Sequence, residues 1–267
     1  MDNPPAAPIP LSAPGASPQA GIPPTGGFIV DAGRGAHWWS EGWRYFTASP
    51  IVWVVIAILY LAIMIGLGVI PVIGQIASML LHPALTAGLM IGCRAQDRGG
   101  ELTVGHLFAG FGERLSPLVV LALLYLAGWI AIWLVTVSLL VAVIGGGTLG
   151  AILSGNAVQA GIAMLSALSL GALVVLLVAL LLMVPLLMAI WFAPALVVLR
   201  GDEPLAAMKT SFNACLRNVA PFLVYGLVGL LLAIVATIPL GLGWFVLAPV
   251  YAASIYAGYK DIFGDPA

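Results

Sequence analysis

Apolar residues in this chain come in long unbroken blocks, not in alternation. No Asp, Glu, Lys or Arg occurs from Tyr45 to Cys93, from Leu115 to Leu199, or from Asn218 to Tyr259. Uncharged apolar runs of about twenty residues or more mark membrane helices. Segments of about ten alternating residues, the signature of a transmembrane barrel, do not appear. The blocks predict six spans, at about 51–70, 75–93, 117–144, 168–192, 221–238 and 244–259. Pro71 and Gly74 in "GVIPVIG" separate the first two, and "IPLGLG" separates the last two. Between the third and fourth lies "GGGTLGAILSGNAVQAG", residues 145–161, which reads as a Gly-rich outer loop. Pro185 and Pro194 are expected to kink the fourth span or end it early.

Charge is confined to the gaps. The bases Arg34, Arg44, Arg94, Arg98, Arg114, Arg200, Lys209, Arg217 and Lys260 all fall before the first span, in 94–114, in 200–217, or at the C-terminus. With six spans these positions share one side, and the positive-inside rule makes that side the cytoplasm. Composition agrees with the class: 62% of residues are hydrophobic and 7% charged, against about 25% charged in soluble domains. A net charge of −1 without a Lys/Arg block argues against a nucleic-acid partner or a polybasic lipid patch. Two cysteines, Cys93 and Cys215, are too few for a disulfide framework and read as free thiols.

Residues 1–27 are rich in proline and lack both a basic start and a continuous apolar stretch, which excludes an ordinary signal peptide. They read as a disordered, solvated cytoplasmic tail. A ligand for a proline-binding partner is the alternative. The fold class is therefore an all-α membrane protein. Residues 28–267 form a bundle of six transmembrane helices arranged as three hairpins, with amphipathic cytoplasmic segments.

One pattern is written twice. "PALTAGLMIGCR" from Pro83 and "PVYAASIYAGYK" from Pro249 share Ala four positions on, a small residue next, Gly at nine and a base at eleven. Each occupies the second helix of a hairpin with a Pro/Gly turn, and Pro50, Pro117 and Pro221 open the first helices. The unit recurs three times, the middle copy retaining only "APAL" against "HPAL". Gly88 with Gly92, and Ser254 with Gly258, form small-xxx-small stripes that favour close helix packing. The cytoplasmic segments "HWWSEGWRYF", "TVGHLFAGFGERL" and "LAAMKTSFNACLRNV" have helical apolar spacing. Trp39, Trp43, Phe108, Phe111 and Phe212 are candidates for headgroup depth; ordinary packing on the bundle is the competing reading.

Candidate chemistry is sparse. His82 is the one ionisable residue inside a span, with Gln75 about two turns away, and reads as a packed histidine. Asp97, Glu101, His106 and Glu113 are possible acid/base groups, but no nucleophile or metal spacing joins them. No cofactor or metal is expected. Thr86, Ser138 and Thr237 are weak candidates for a transport cavity. The expected partners are the lipid bilayer and a protein partner or a second copy of the chain.

The "GW" before the first span, the "IP" and "G" of its turn, the "P…AGLM" helix and the "L…LFAGF" segment resemble a family of uncharacterised proteobacterial inner-membrane proteins. More distantly, the layout is similar to the membrane domain accompanying some glycerophosphodiester phosphodiesterases. The resemblance implies an inner-membrane location with both termini cytoplasmic, and it transfers no catalytic residue. The function so implied is non-enzymatic, organising partners or lipids. A permease or flippase for a lipid or uncharged solute is the alternative.

Overall fold

A computed structural model describes residues 27–264, and there the regular structure is wholly helical. The proline-rich tail expected at 1–27 lies outside the described residues, Gly27 apart. In chain order the helices are α1 (Arg34–Ala48), α2 (Pro50–Gly68) and α3 (Ile73–Asp97). A 3-10 segment (Val104–Phe111) precedes α4 (Leu115–Ser154) and α5 (Ala157–Trp191). After a bend and short turns over Ala193–Arg200 follow α6 (Pro204–Arg217), α7 (Val219–Thr237) and α8 (Trp244–Phe263).

Five stretches are long and apolar enough to cross a membrane: Pro50–Gly68, Ile73–Asp97, Leu115–Gly147, Ser169–Arg200 and Val219–Thr237. α8 stands outside that set because it carries three tyrosines near Lys260 and Asp261. Its environment explains this. Ala253, Ser254, Tyr256, Tyr259 and Ile262 of α8 are almost completely buried against other helices, so their polarity never meets the outside. α3 is the other inner helix, half buried where the remaining apolar stretches are 6–17% buried. The twice-written motif thus marks the two inner helices.

The Gly-rich stretch read as a loop at 145–161 is helical instead. α4 runs 40 residues through Gly145–Gly147 and α5 runs 35, with the turn confined to Gly155 and Asn156. Gly155 takes a φ of +61°, and Asn156 Oδ1 caps α5 by accepting from the Val158 N–H at 2.9 Å. Glycine costs a helix about 0.5–1 kcal/mol relative to alanine. The stretch holds no proline to stop a helix, so the helix persists. α5 also continues through Pro185; its break comes at Phe192, just before Pro194.

The first and third hairpin turns repeat in detail. Val72 and Leu240 each follow an Ile-Pro pair, and each holds a positive φ, 61° and 54°. For a β-branched valine this is a strained conformation. Gly74 and Gly243 sit so close to Leu67 and Ala236 that a Cβ on either would overlap the backbone.

The three segments preceding α2, α4 and α7 dock by one rule: each packs on the long helices that come before it in the cycle. The 3-10 segment packs on α3, α6 packs on α5, and α1 closes the cycle by packing on α8 and α7. A small residue followed by an aromatic stands at a close approach in each: Gly110-Phe111, Ser211-Phe212 and Gly42-Trp43; α1 comes closer still at Gly35, against the Pro221 carbonyl. Gly110 presses on the carbonyl of Ala84, one residue past Pro83, and Gly42 on that of Val250, one past Pro249. In the middle copy the fully buried Ser211 hydroxyl inserts into the end of α5. It donates to Met188 O at 2.7 Å and accepts from Phe192 N–H at 3.0 Å. A hydroxyl inserted into the helix ladder produces the bend there.

Gly42→Leu and Gly110→Leu are therefore expected to lower the melting temperature in detergent, with overpacking costing about 1–3 kcal/mol each. Gly226→Leu, whose Cβ would meet nothing within 4 Å, is expected to leave it unchanged or raise it. Equal melting temperatures for all three variants would contradict the docking geometry.

Candidate functional site

The charged end of the bundle holds a network that ties α1 to α8 and α3. The Arg34 guanidinium grips the Asp261 carboxylate with two hydrogen bonds, and the Trp38 indole N–H donates to the same carboxylate at 2.8 Å. Hydrogen bonding to Asp261 raises the Arg34 pKa above its ordinary value. Lys260 Nζ donates to Asp97 Oδ2 at 2.5 Å, and the Tyr45 hydroxyl donates to Oδ1 at 2.8 Å. Burial, then the bond to Asp97, pushes the Tyr45 phenol far above its usual range. It stays protonated and donating at any physiological pH. Asn218 completes the network: its side chain accepts from Val30 N–H and donates to Phe28 O, fixing the chain just before α1.

Hydrogen bonds engage two of the four groups suspected of chemistry, Asp97 and His106. Asp97 is neutralised by Lys260. His106 Nδ1 lies 3.0 Å from the Thr103 N–H and hydroxyl, closing a capping box at the start of the 3-10 segment. Glu101 and Glu113 are exposed on separate turns. The four do not converge on one site. Among the described residues no three His, Cys, Asp or Glu side chains gather as metal ligands. Both cysteines are free and buried, and burial pushes the Cys215 thiol up to about 12.

The small-residue stripes face the docked segments. A Cβ on Gly88 would overlap His106 O of the 3-10 segment, and one on Gly92 would meet Leu102. Gly258 lies against the Trp38 ring of α1. Ser254 is fully buried beneath Gly42, and its hydroxyl pairs with the Tyr225 hydroxyl at 2.7 Å. Of the aromatic candidates, Trp39 is buried, stacked on Tyr225 at 4.8 Å with its indole N–H on Tyr225 O. It belongs to the interior, not to the outer surface of α1. Trp43, Phe108 and Phe111 are exposed, and Phe212 is half-buried.

The second site lies among the membrane-spanning helices, away from that network. A laterally open cleft of about 590 Å³ separates α3 from α4. Gln75, Ser78 and His82 line the α3 side; Tyr125, Trp129 and Trp133 line the α4 side. The spacings of three and four residues place each trio on one helix face. His82 has a partner that the sequence reading missed: its Nδ1 lies 2.9 Å from the Tyr60 hydroxyl of α2. Tyr60 sits 22 residues away on a different helix, and no periodicity within α3 signals it. Ser78 Oγ donates to Gln75 O at 2.8 Å. Thr86, Ser138 and Thr237 do not line this cleft.

Long apolar helices with exposed apolar faces define a multi-pass helical membrane protein. A probable inner membrane protein of Burkholderia thailandensis is 31% identical over 253 residues, covering 88% of this chain and 93% of that one. The chain belongs to the same family of inner-membrane proteins. No family model matches the chain. No solved structure matches it.

Proposed function

We propose that the chain is a bacterial inner-membrane protein of six crossings in three hairpins, with both termini cytoplasmic, that acts by holding partners or lipids and not by converting them. The observation that carries this reading is the structural use of two of the groups that might have been catalytic. Asp97 is engaged by Lys260 and Tyr45, and His106 by Thr103. Their bonds brace the docked segments against the bundle, which favours a fixed cytoplasmic platform. The distant likeness to the membrane domain accompanying some glycerophosphodiester phosphodiesterases belongs to the same reading, as a module that serves other activities. A second reading, a permease or flippase, draws support from the cleft beside His82.

Reconstituted vesicles made from bacterial inner-membrane lipids test the function. Under the first reading lipid composition stays constant and a fluorescent phospholipid keeps its leaflet. Rapid exchange between leaflets would replace it with the flippase reading, and a new lipid species would overturn the non-enzymatic assignment.

The orientation has its own test, for which the buried native thiols form a silent background. Gln159→Cys, in the first turn of α5, is expected to react with an impermeant maleimide applied to intact spheroplasts. Lys209→Cys on α6 is expected to react only after permeabilisation. The reverse pattern would invert the topology.

A further inference from the structure

The cleft between α3 and α4 has two unlike walls, and together they select an occupant. The cleft is mostly apolar, with Met79 of α3 and Leu126 and Ile130 of α4 in its lining; its polar side chains Gln75, Ser78 and His82 all come from one face of α3. Tyr60 engages His82 Nδ1, and Nε2 has no partner among the described residues; neither has the Gln75 side-chain amide. The Ser78 hydroxyl donates its proton to Gln75 O and keeps lone pairs free to accept. The α4 wall is aromatic: Tyr125, Trp129 and Trp133 follow at intervals of four residues, with the first two rings edge to face at 6.2 Å.

Charge narrows the choice. Neither 45–93 nor 115–199 contains an Asp, Glu, Lys or Arg. A phosphate head in this cleft would stand without a cation, and an ammonium head without a carboxylate, each costly in an apolar medium. A hydrocarbon chain alone would leave unsatisfied the Gln75 amide and His82 Nε2, which is a donor when the Tyr60 hydroxyl donates to Nδ1. The occupant that satisfies both walls is uncharged, carries hydrogen-bonding oxygens at a ring edge, and is flat enough to lie on indole faces. The lateral opening admits an apolar tail from the bilayer. At about 590 Å³ the cleft falls within the roughly 300–1,000 Å³ of small-molecule sites.

We propose that the α3–α4 cleft binds a lipid-tailed quinone, its ring carbonyls accepting from His82 and Gln75 and its face lying on Trp129 and Trp133. The inference concerns binding alone and stands whether the protein organises lipids or moves them. Tyr60 fixes the His82 ring, so it is a positioning residue.

The test uses the full chain in nanodiscs with a photoreactive azidobenzoquinone bearing a decyl tail. Labelling should saturate near about one probe per chain and fall on peptides spanning Gln75–His82 or Tyr125–Trp133. Unlabelled decylbenzoquinone should abolish it, and phosphatidylglycerol at equal concentration should not. Ser78→Phe, which fills the cleft, should cut labelling about tenfold at an unchanged melting temperature. If that variant unfolds, Trp133→Leu replaces it. Trp133 is 62% exposed, so its loss removes the stacking face without opening the interior, and labelling should again fall. Three results would overturn the proposal. The first is labelling that fails to saturate and spreads over the outward leucines of α7, such as Leu223 and Leu227. The second is competition by phosphatidylglycerol equal to that by the quinone. The third is stronger competition by dioleoylglycerol, which would make the occupant a neutral acylglycerol with no ring to stack.

Discussion

Helices in a bilayer gain little by hiding apolar surface from one another, because lipid tails are as apolar as leucine. What holds this bundle is backbone-to-backbone approach at positions without side-chain bulk. Gly110 rests on Ala84, Gly42 on Val250, Gly35 on Pro221, and Gly88 on the 3-10 segment. In each case a single added carbon would force two segments apart. The pairings are also directional, since each puts a segment on the long helices before it in the cycle. Applied three times, the rule returns α1 to α7 and α8 and joins the two ends of the chain.

Polar contacts then lock what the glycines bring together. A buried carboxylate without a cation would be strongly destabilising. Asp261 meets Arg34 and Trp38, and Asp97 meets Lys260 and Tyr45. These partners come from α1, α3 and α8, so each bond spans elements remote in sequence. The aromatic cluster of Trp38, Trp39, Phe222 and Tyr225 fills the space between α1 and α7, and Trp191 extends it to α5. The charged end is thereby braced. The cleft beside His82 lies in the more loosely covered space between α3 and α4, where an occupant can enter without disturbing the brace.

Much of this was legible in the sequence. The uncharged blocks predicted the long apolar helices, and the twice-written motif singled out α3 and α8. The small-residue stripes lie against the docked segments, partners that the sequence does not name, because a helix face does not identify the segment it receives. The small-aromatic pairs Gly42-Trp43, Gly110-Phe111 and Ser211-Phe212 were visible signals that went unused. The Gly-rich stretch at 145–161 misled because each glycine lowers helix stability by only about 0.5–1 kcal/mol, and the stretch holds no proline to stop a helix. Trp39 was a candidate for headgroup depth from apolar spacing and aromatic character, with packing on the bundle as the alternative; its neighbour Gly42 marks the face of α1 that turns inward. The Tyr60–His82 pair could not be found from periodicity, since it joins two helices whose relative rotation is set only by packing.

The account depends most on α1 being a bound part of the bundle, not a helix resting at the lipid surface. Hydrogen exchange read by mass spectrometry, on the full chain in nanodiscs, measures this directly. Amides of α1 should exchange as slowly as those in the Ala253–Ile262 half of α8, and Asp261→Ala should speed both together. Exchange of α1 within seconds in the unaltered protein, while α8 stays protected, would contradict the closed cycle.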